Sequence, residues 1–289
     1  MGIEVNNINL RRKTDMLKTE MRNANTKNFS SMDTKGMLMA MHKENQNAVN
    51  AVGEVMEQIA QCVDVVSEAF KEGGRLFYIG CGTSGRLGVV DASECPPTFG
   101  VPKDMVVGII AGGLERMASA GEHEEDNGKA GIRDLAAYDI TGKDVVVGLS
   151  VAGNAAYVCD AIEYAKEKGC TTVGISSNED SNLVKFADIA ICPDTGAEVV
   201  TGSTRLKAGT AQKLILNMIS TCAMAKQGYV YENLMINLKP TNIKLRQRVI
   251  RIVMELTGMD EEKAVSCLEA SDWDIKEAIN CYQKMAEQE

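Results

Sequence analysis

Apolar residues along this chain recur at two different spacings, and each spacing predicts its own kind of element. From residue 45 to residue 70 they recur every three or four positions, which is the period of an amphipathic helix. The positions concerned are Val49, Val52, Met56, Ile59, Val63, Val66 and Phe70. The spacing predicts one long helix over this range, ended by the glycine pair Gly73 and Gly74.

Short, continuously apolar runs follow this helix and alternate with helical stretches such as 155–168. The runs cover residues 76–79, 106–111, 145–149, 172–175 and 189–191. Runs without polar alternation are typical of parallel strands that are buried on both faces. The chain therefore predicts an α/β fold, a three-layer, doubly wound parallel sheet, in which ligands bind at the carboxyl ends of the strands.

The two ends of the chain differ from this central part. Residues 1 to about 40 are polar and rich in methionine, and we expect an irregular arm there. Residues 259–279 predict two short helices joined by a turn, with Ser271 or Asp272 as the cap and Trp273 in the core. This part resembles a small three-helix module of the ubiquitin-associated (UBA) type, for packing, dimer formation or recognition of another protein. The predicted division is an N-terminal helical arm over 1–54, a central domain over 55–225 and a C-terminal module over 240–289.

Composition narrows the possible functions. The chain has 289 residues and a net charge of −9, which disfavours a nucleic-acid-binding surface. No apolar run approaches the length of a membrane span, and the start lacks the pattern of a secretory signal. Nine cysteines without paired spacing indicate a reduced, cytoplasmic protein. The two histidines, His42 and His123, are isolated, so we expect no metal site.

A glycine-rich turn directly after the first predicted strand is the clearest functional motif. It reads Gly80-Cys81-Gly82-Thr83-Ser84-Gly85-Arg86 and leads into a predicted helix. Glycines let the backbone approach an anion, while the helix N-terminus and the hydroxyls donate to it. The turn lacks the lysine of a Walker loop, and no acidic residue ends the next strand to hold a ribose. We therefore expect a small phosphorylated metabolite, bound by Gly82, Thr83, Ser84 and Arg86.

Two further turns are candidates for the same pocket. The turn after the third strand contributes Ser150, Gly153 and Asn154, and a later turn contributes Ser203, Thr204 and Lys207. Hydroxyl residues in the later turn could equally be ordinary caps of the helix that follows.

Carboxylates supply the candidate proton-transfer groups. Glu94 lies between the glycine-rich turn and a proline pair, among small and apolar residues, where burial would raise its pKa and suit a general acid. A second acidic stretch, 122–126, is of a kind that most often forms a solvated face. One carboxylate of that stretch facing the same pocket would complete an acid and base pair.

Several segments together resemble N-acetylmuramic acid 6-phosphate etherases, a family of the sugar isomerase (SIS) superfamily related to glucokinase regulatory protein. They are Leu17-Lys18-Thr19-Glu20-Met21-Arg22-Asn23, the stretch 80–100 with its Asp-Ala-Ser-Glu-Cys-Pro-Pro-Thr, Ile110-Ala111-Gly112-Gly113, 201–213 and 233–242. The resemblance implies cleavage of a D-lactyl ether by elimination and hydration, without a cofactor. It assigns the proton donor to Glu94 and the second catalytic glutamate to Glu125. It also implies a homodimer with composite sites.

One turn departs from the pattern of that family. The family usually has Ala-Ser-Gly-Arg-Thr-Pro-Tyr after the third strand, whereas this chain has Val151-Ala152-Gly153-Asn154-Ala155-Ala156-Tyr157. Two hydroxyls and an arginine are lost together, which weakens the expected phosphate contacts unless Ser150 or Asn154 replaces them. Leu114 is a smaller departure, at a position that is commonly acidic. A sugar-phosphate-binding regulator without turnover therefore remains an alternative, and an aldose–ketose isomerase on the same fold is a third.

Overall fold

A five-stranded parallel sheet forms the centre of the molecule. The computed structural model describes residues 17–119, 121, 124–238, 240 and 242–286. The strand order is β2-β1-β3-β4-β5, and every neighbouring pair runs parallel. The strands are β1 (Leu76–Gly80), β2 (Val106–Ile110), β3 (Val145–Leu149), β4 (Thr171–Ile175) and β5 (Ile189–Ile191). All five lie within a residue or so of the predicted runs, and the predicted α/β class is confirmed.

Helices cover both faces of this sheet. They are α1 (Thr34–Gly53), α2 (Met56–Lys71), α3 (Gly82–Phe99), α4 (Gly128–Ala136), α5 (Ala156–Glu167), α6 (Asn182–Phe186) and α7 (Lys207–Lys226). Alternate residues of β1 point to opposite sides. Leu76 and Tyr78 pack in one core with α1, α2, α3 and α7, whereas Phe77 and Ile79 pack in a second core with α4, α5 and α6. Both strand faces are therefore buried, which explains the uninterrupted apolar runs.

The prediction of a single long helix over 45–70 is wrong. α1 ends at Gly53, α2 begins at Met56, and the helical spacing of apolar residues continues across the break. Val52 and Val55 on either side of the break are both buried in the same core, and the Val55 N–H donates to the Val52 carbonyl. The turn thus lets two helices bury one continuous apolar pattern.

The irregular part of the arm, expected to reach about residue 40, ends earlier because α1 begins at Thr34, where the Asp33 carboxylate accepts the Gly36 N–H at 2.8 Å and caps the helix. Its described part, 17–33, contains three short 3-10 turns. Asn23 donates to Glu44 at 2.8 Å and to the Ala197 carbonyl at 2.9 Å, and Thr26 donates to the Val199 carbonyl at 2.9 Å. These bonds fix the arm on α1 and on the loop before α7.

A buried ion pair lies beneath the arm. The Lys207 ammonium, at the start of α7, is 2.6 Å from the Glu44 carboxylate of α1, and both side chains are almost completely buried. Burial alone would raise the pKa of Glu44, but hydrogen bonds from Lys207, Asn25 and Asn23 lower it to about 2. The carboxylate is therefore ionised in the folded protein and stabilises the junction of the arm, α1 and α7.

The C-terminal part forms a module with its own core. A hairpin of β6 (Val230–Tyr231) and β7 (Leu234–Met235) precedes α8 (Ile243–Thr257), α9 (Glu261–Ala270) and α10 (Ile275–Ala286). The predicted three-helix arrangement is confirmed. The predicted cap is wrong, because Asp274 rather than Ser271 or Asp272 accepts the Glu277 N–H, at 3.0 Å. The division of the whole chain into three domains stays a prediction.

Trp273 packs against the core of this module from its edge. The indole is partly buried, and the Arg246 guanidinium lies 4.9 Å from the ring centroid. In the described part of the chain, no helix is long and apolar enough to cross a membrane.

We expect Lys207→Met to lower the free energy of unfolding by about 3–5 kcal/mol, because it leaves the Glu44 carboxylate buried without its cation. The double variant Glu44→Gln/Lys207→Met removes both charges, so its free energy of unfolding should fall by less than that of Lys207→Met. Urea denaturation at neutral pH measures both changes. A double variant that is less stable than Lys207→Met would contradict this account.

The lowered pKa of Glu44 predicts a loss of stability in acid. The folded state holds this pKa near 2, below its ordinary value of 4.5, so the stabilisation is complete above pH 4.5 and disappears as the pH falls towards 2. The free energy of unfolding should therefore decline across this range. In the Glu44→Gln variant the free energy of unfolding should decline less steeply with falling pH. A decline as steep as that of the wild type would refute the assignment of this pH dependence to Glu44.

Candidate active site

The glycine-rich turn joins β1 to α3 without an intervening loop. Gly80 ends the strand, Cys81 occupies the N-cap position without a capping hydrogen bond from its side chain, and α3 begins at Gly82. The first N–H groups of a helix have no partner within it, and those of the first turn of α3 lie beside the hydroxyls of Thr83 and Ser84. This arrangement suits an anion.

Two glycines in this turn are required for different reasons. A Cβ on Gly85 would lie 2.4 Å from the Gly80 carbonyl oxygen, so the strand and the helix touch at this position. Gly82 has open space around it but a φ of +51°, in the left-handed region that glycine adopts without strain. The turn therefore depends on the close contact between strand and helix at Gly85 and on the positive φ of Gly82.

A cavity of about 320 Å³ opens above the turn, at the carboxyl ends of β1, β2 and β3. The chain leaves β1 towards β2 on one side and later returns to β3 on the other, so the cavity lies at the switch point of the sheet. Its polar walls come from the turn itself, the segment after β2, the turn after β3, the arm and the loop before α7. The polar side chains are those of Thr83, Ser84, Arg86, Arg116, Glu124, Glu125, Ser150, Glu20 and Thr204.

Arginines and glutamates both face this cavity. Arg86 donates to the carbonyls of Met117 at 3.1 Å and Ser119 at 2.7 Å, and so fastens the segment after β2 to α3. Arg116 in that segment lies 3.3 Å from the Glu124 carboxylate. Hydroxyls and guanidinium groups can hold a phosphate, while carboxylates on the facing wall can accept or donate protons.

Cys81 is also part of the cavity wall. Burial, together with the negative charge of Glu125, raises the pKa of its thiol to about 12. The thiol is therefore protonated at neutral pH. Among the described residues, no group of three or more histidine, cysteine or acidic side chains is arranged to hold a metal ion.

Seven of the sequence-predicted site residues meet in this cavity. They are Gly82, Thr83, Ser84, Arg86, Glu125, Ser150 and Thr204. The other five lie elsewhere.

Asn154 and Gly153 shape the turn after β3 and are not on the cavity wall. The Asn154 side chain accepts the Asn182 N–H at 3.1 Å and caps α6. The Gly153 N–H donates to the Ser150 hydroxyl at 3.1 Å, and its φ of +74° lies in the left-handed region that favours glycine. Asn154 therefore does not replace the missing arginine of this turn. The polar group that the turn presents to the cavity is Ser150.

The sequence leaves an anion-binding turn and ordinary helix caps both open at 201–210, and in the structure a side chain of the protein itself occupies this helix start. The buried Glu198 carboxylate accepts the N–H groups of Lys207 and Ala208, both at 3.0 Å, and occupies the start of α7. The Lys207 side chain is held by Glu44, and Ser203 is not on the cavity wall. Only Thr204 of this group reaches the cavity.

Glu94 is exposed, so the expectation of a buried general acid is wrong. It follows Gly82 by twelve residues on the continuous helix α3, which corresponds to about 18 Å along the helix axis. Glu94 and Glu125 of one chain are therefore not brought together. Val90, one turn before Glu94, is 49% exposed on the same helix.

Sequence reasoning missed Glu20, Arg116 and Glu124 as cavity residues. Glu20 belongs to the arm and is distant in sequence from every strand. Arg116 could have been found, because it follows β2 closely and the carboxyl ends of neighbouring parallel strands share one edge of the sheet.

The comparisons with known proteins agree with this architecture. Residues 126–221 match the SIS domain, residues 57–166 match the N-terminal SIS domain of glucokinase regulatory protein, and residues 250–282 match a UBA-like domain. Phosphoheptose isomerase from Francisella tularensis superposes with a TM-score of 0.52 at 13% identity, covering 67% of this chain and all of that one. The enzyme of the same name from Neisseria gonorrhoeae gives 0.50 at 16% identity, covering 66% and 99%. The central fold is therefore that of SIS proteins.

Relatives at higher identity define the family within that class. The chain is 48% identical to the N-acetylmuramic acid 6-phosphate etherase of Geobacillus sp. (strain WCH70), over 92% of this chain and 90% of the relative. It is 49% identical to the protein of the same name in Yersinia pestis (strain Pestoides F), over 90% and 88%. The chain belongs to the N-acetylmuramic acid 6-phosphate etherase family.

The two glycines of the turn provide a matched pair of variants. Gly85→Ala should lower the free energy of unfolding by about 1–3 kcal/mol and weaken binding of a sugar phosphate, because its Cβ forces β1 and α3 apart. Gly82→Ala should lower the free energy of unfolding by about 1–2 kcal/mol, because alanine is strained at a positive φ even though its Cβ would meet no other atom. Thermal denaturation and calorimetric titration with glucosamine 6-phosphate measure both effects. Stronger loss of binding in Gly82→Ala would contradict the steric account.

Proposed function

We propose that this protein is a lyase that cleaves the D-lactyl ether of N-acetylmuramic acid 6-phosphate, giving N-acetylglucosamine 6-phosphate and D-lactate. The observation that carries the proposal is identity of nearly one half to proteins of that name over about nine-tenths of the chain. The cavity supports it, because hydroxyls and a helix N-terminus face carboxylates across a space suited to a small sugar phosphate.

In the proposed mechanism the phosphate binds the turn at 82–84, beside Arg86. One glutamate removes the C2 proton of the open-chain aldehyde, and the other protonates the lactate oxygen as the C3–O bond breaks. Water then adds to the resulting double bond at C3, so that substrate plus water equals the two products. We assign these proton transfers to Glu125 and Glu94, which act without a metal or organic cofactor.

We further propose that Glu94 acts in the cavity of a second copy of the chain. Its exposure on α3, next to the half-exposed apolar Val90, suits a surface that contacts another subunit. Such a homodimer would bring Glu94 of one chain to Glu125 of the other. Nine cysteines, all of them free, and the phosphorylated substrate favour the cytoplasm as its location.

The altered turn at 151–156 favours a second candidate, a sugar-phosphate-binding regulator without turnover. Val151, Ala152 and Ala155 lie on the cavity wall and offer no side-chain donor. The match to the N-terminal SIS domain of glucokinase regulatory protein covers this turn. Against this candidate, both glutamates of the etherase pattern, Glu94 and Glu125, are present in the sequence.

Release of D-lactate from N-acetylmuramic acid 6-phosphate separates the two candidates. We expect turnover by the wild type, and a loss of about 10²–10⁴-fold in both Glu94→Gln and Glu125→Gln, because each removes a proton-transfer group. Glu167→Gln, an exposed change at the end of α5, is the matched control and should keep full activity. Tight binding of the substrate without release of lactate would instead establish the regulator.

A mixed dimer tests the shared site. One chain carries Glu94→Gln, the other carries Glu125→Gln, and two different tags allow the mixed species to be purified. One of its two sites then has both glutamates intact, so we expect about half of the wild-type rate per dimer from two inactive parents. A mixed dimer as inactive as its parents would show that each chain uses its own Glu94.

A further inference from the structure

A buried glutamine contacts the hydroxyl that faces the cavity. The Ser84 hydroxyl donates to the Gln212 carbonyl oxygen Oε1 at 2.8 Å, from the first turn of α3 to α7. Gln212 is 2% exposed and lies behind Ser84, whereas Ser84 borders the cavity itself. A serine hydroxyl has a single proton, so Ser84 cannot give this proton to Gln212 and to a phosphate oxygen at the same time.

The other half of the same amide has no partner. Gln212 Nε2 is buried and finds no hydrogen-bond acceptor among the described residues. An unpaired buried donor is costly, so this arrangement leaves part of the hydrogen-bonding capacity of Gln212 unused. A half-turn of the amide about its terminal bond would place Nε2 against the Ser84 oxygen. The amide would then donate to Ser84, and the Ser84 proton would be free to point into the cavity.

We propose that Gln212 is a positioning residue that sets the direction of the Ser84 hydroxyl proton. When a phosphate occupies the turn, Gln212 donates through Nε2 to Ser84, and Ser84 donates to a phosphate oxygen. When the turn is empty, Gln212 accepts from Ser84 through Oε1. The proposal rests on the proposed function in that the anion is the phosphate of a sugar phosphate.

The surroundings hold Gln212 in the right place for this role. α7 is fixed at its start by Glu198, which accepts the N–H groups of Lys207 and Ala208, and by the buried pair of Lys207 with Glu44. The helix also packs closely on the turn, since a Cβ on Gly209 would lie 3.5 Å from the Thr83 methyl group. A rigid helix therefore presents one rotatable amide to the hydroxyl of Ser84.

Two substitutions separate the donor role of Gln212 from its acceptor role. Gln212→Met has a similar shape but neither donates nor accepts, so Ser84 loses its support, and affinity for glucosamine 6-phosphate should fall about 3- to 10-fold. In its ionised form Gln212→Glu only accepts and keeps the Ser84 proton turned away, so the loss should be larger, about 10- to 100-fold. Titration calorimetry with glucosamine 6-phosphate, and with inorganic phosphate as the minimal probe, measures both.

A double-mutant cycle with Ser84→Ala distinguishes positioning from a merely structural contact. If Gln212 acts through Ser84, adding Gln212→Met to Ser84→Ala should change the dissociation constant by less than about twofold. Losses that multiply in the double variant would overturn the proposal. So would a Gln212→Met protein that is less stable but binds with wild-type affinity.

Gln227, the residue that follows the last turn of α7, supplies the control. It donates through Nε2 to the Ser67 hydroxyl at 2.8 Å, away from the cavity, so Gln227→Glu tests loss of a glutamine–serine bond in itself. The Gln227→Glu variant should leave binding of glucosamine 6-phosphate unchanged.

Should Gln212→Met fail to fold, the proposal is decided by comparing Gln212→Glu with Gln227→Glu, and equal affinities of these two variants would overturn the proposal. If the wild type binds no sugar phosphate, the proposed function has failed; if it binds and the Gln212 variants bind equally well, only this inference has failed.

Discussion

The buried contact between Glu44 and Lys207 is the constraint on which the geometry of the cavity depends. It joins α1 to the start of α7, and the Glu44 carboxylate also accepts a hydrogen bond from the Asn23 side chain of the arm. The arm carries Glu20 to one wall of the cavity, and the loop before α7 carries Thr204 to the same wall. One buried pair of charges, which water cannot screen, thus brings two segments that are far apart in sequence to the cavity.

Glu198 adds a second constraint at the same place. Its carboxylate occupies the positive end of α7, so this terminus orders the protein and is closed to a ligand. The N-terminus of α3, by contrast, has no side-chain cap. The start of α7 is therefore neutralised from within, whereas the start of α3 beside the same cavity is left for an external anion.

The sequence predicts the sheet well because each strand is buried on both faces, and a strand buried on both faces consists of consecutive apolar residues. It does not predict the break between α1 and α2, because the apolar spacing that shows a helix continues through Gly53 and Val55. The glycine-rich turn is recognised for a local reason: its chemistry lies within seven consecutive residues. Glu20, Gln212 and the capping role of Glu198 depend on contacts between distant segments, and no local pattern marks them. The sequence groups Lys207 with the phosphate-binding residues, although it pairs with Glu44, because a lysine in a hydroxyl-rich turn has the same local pattern whether it faces an anion or a buried glutamate.

Arg86 connects the two halves of the cavity. It belongs to the helix whose N-terminus faces the cavity, yet its guanidinium is bonded to the Met117 and Ser119 carbonyls, in the segment that leads towards Glu124 and Glu125. A ligand that draws this guanidinium towards itself must weaken its hold on that segment, and a segment held firmly must reduce what Arg86 can offer the ligand. For any ligand that competes with these carbonyls for the guanidinium, thermodynamic reciprocity makes its affinity and the position of the segment after β2 linked quantities.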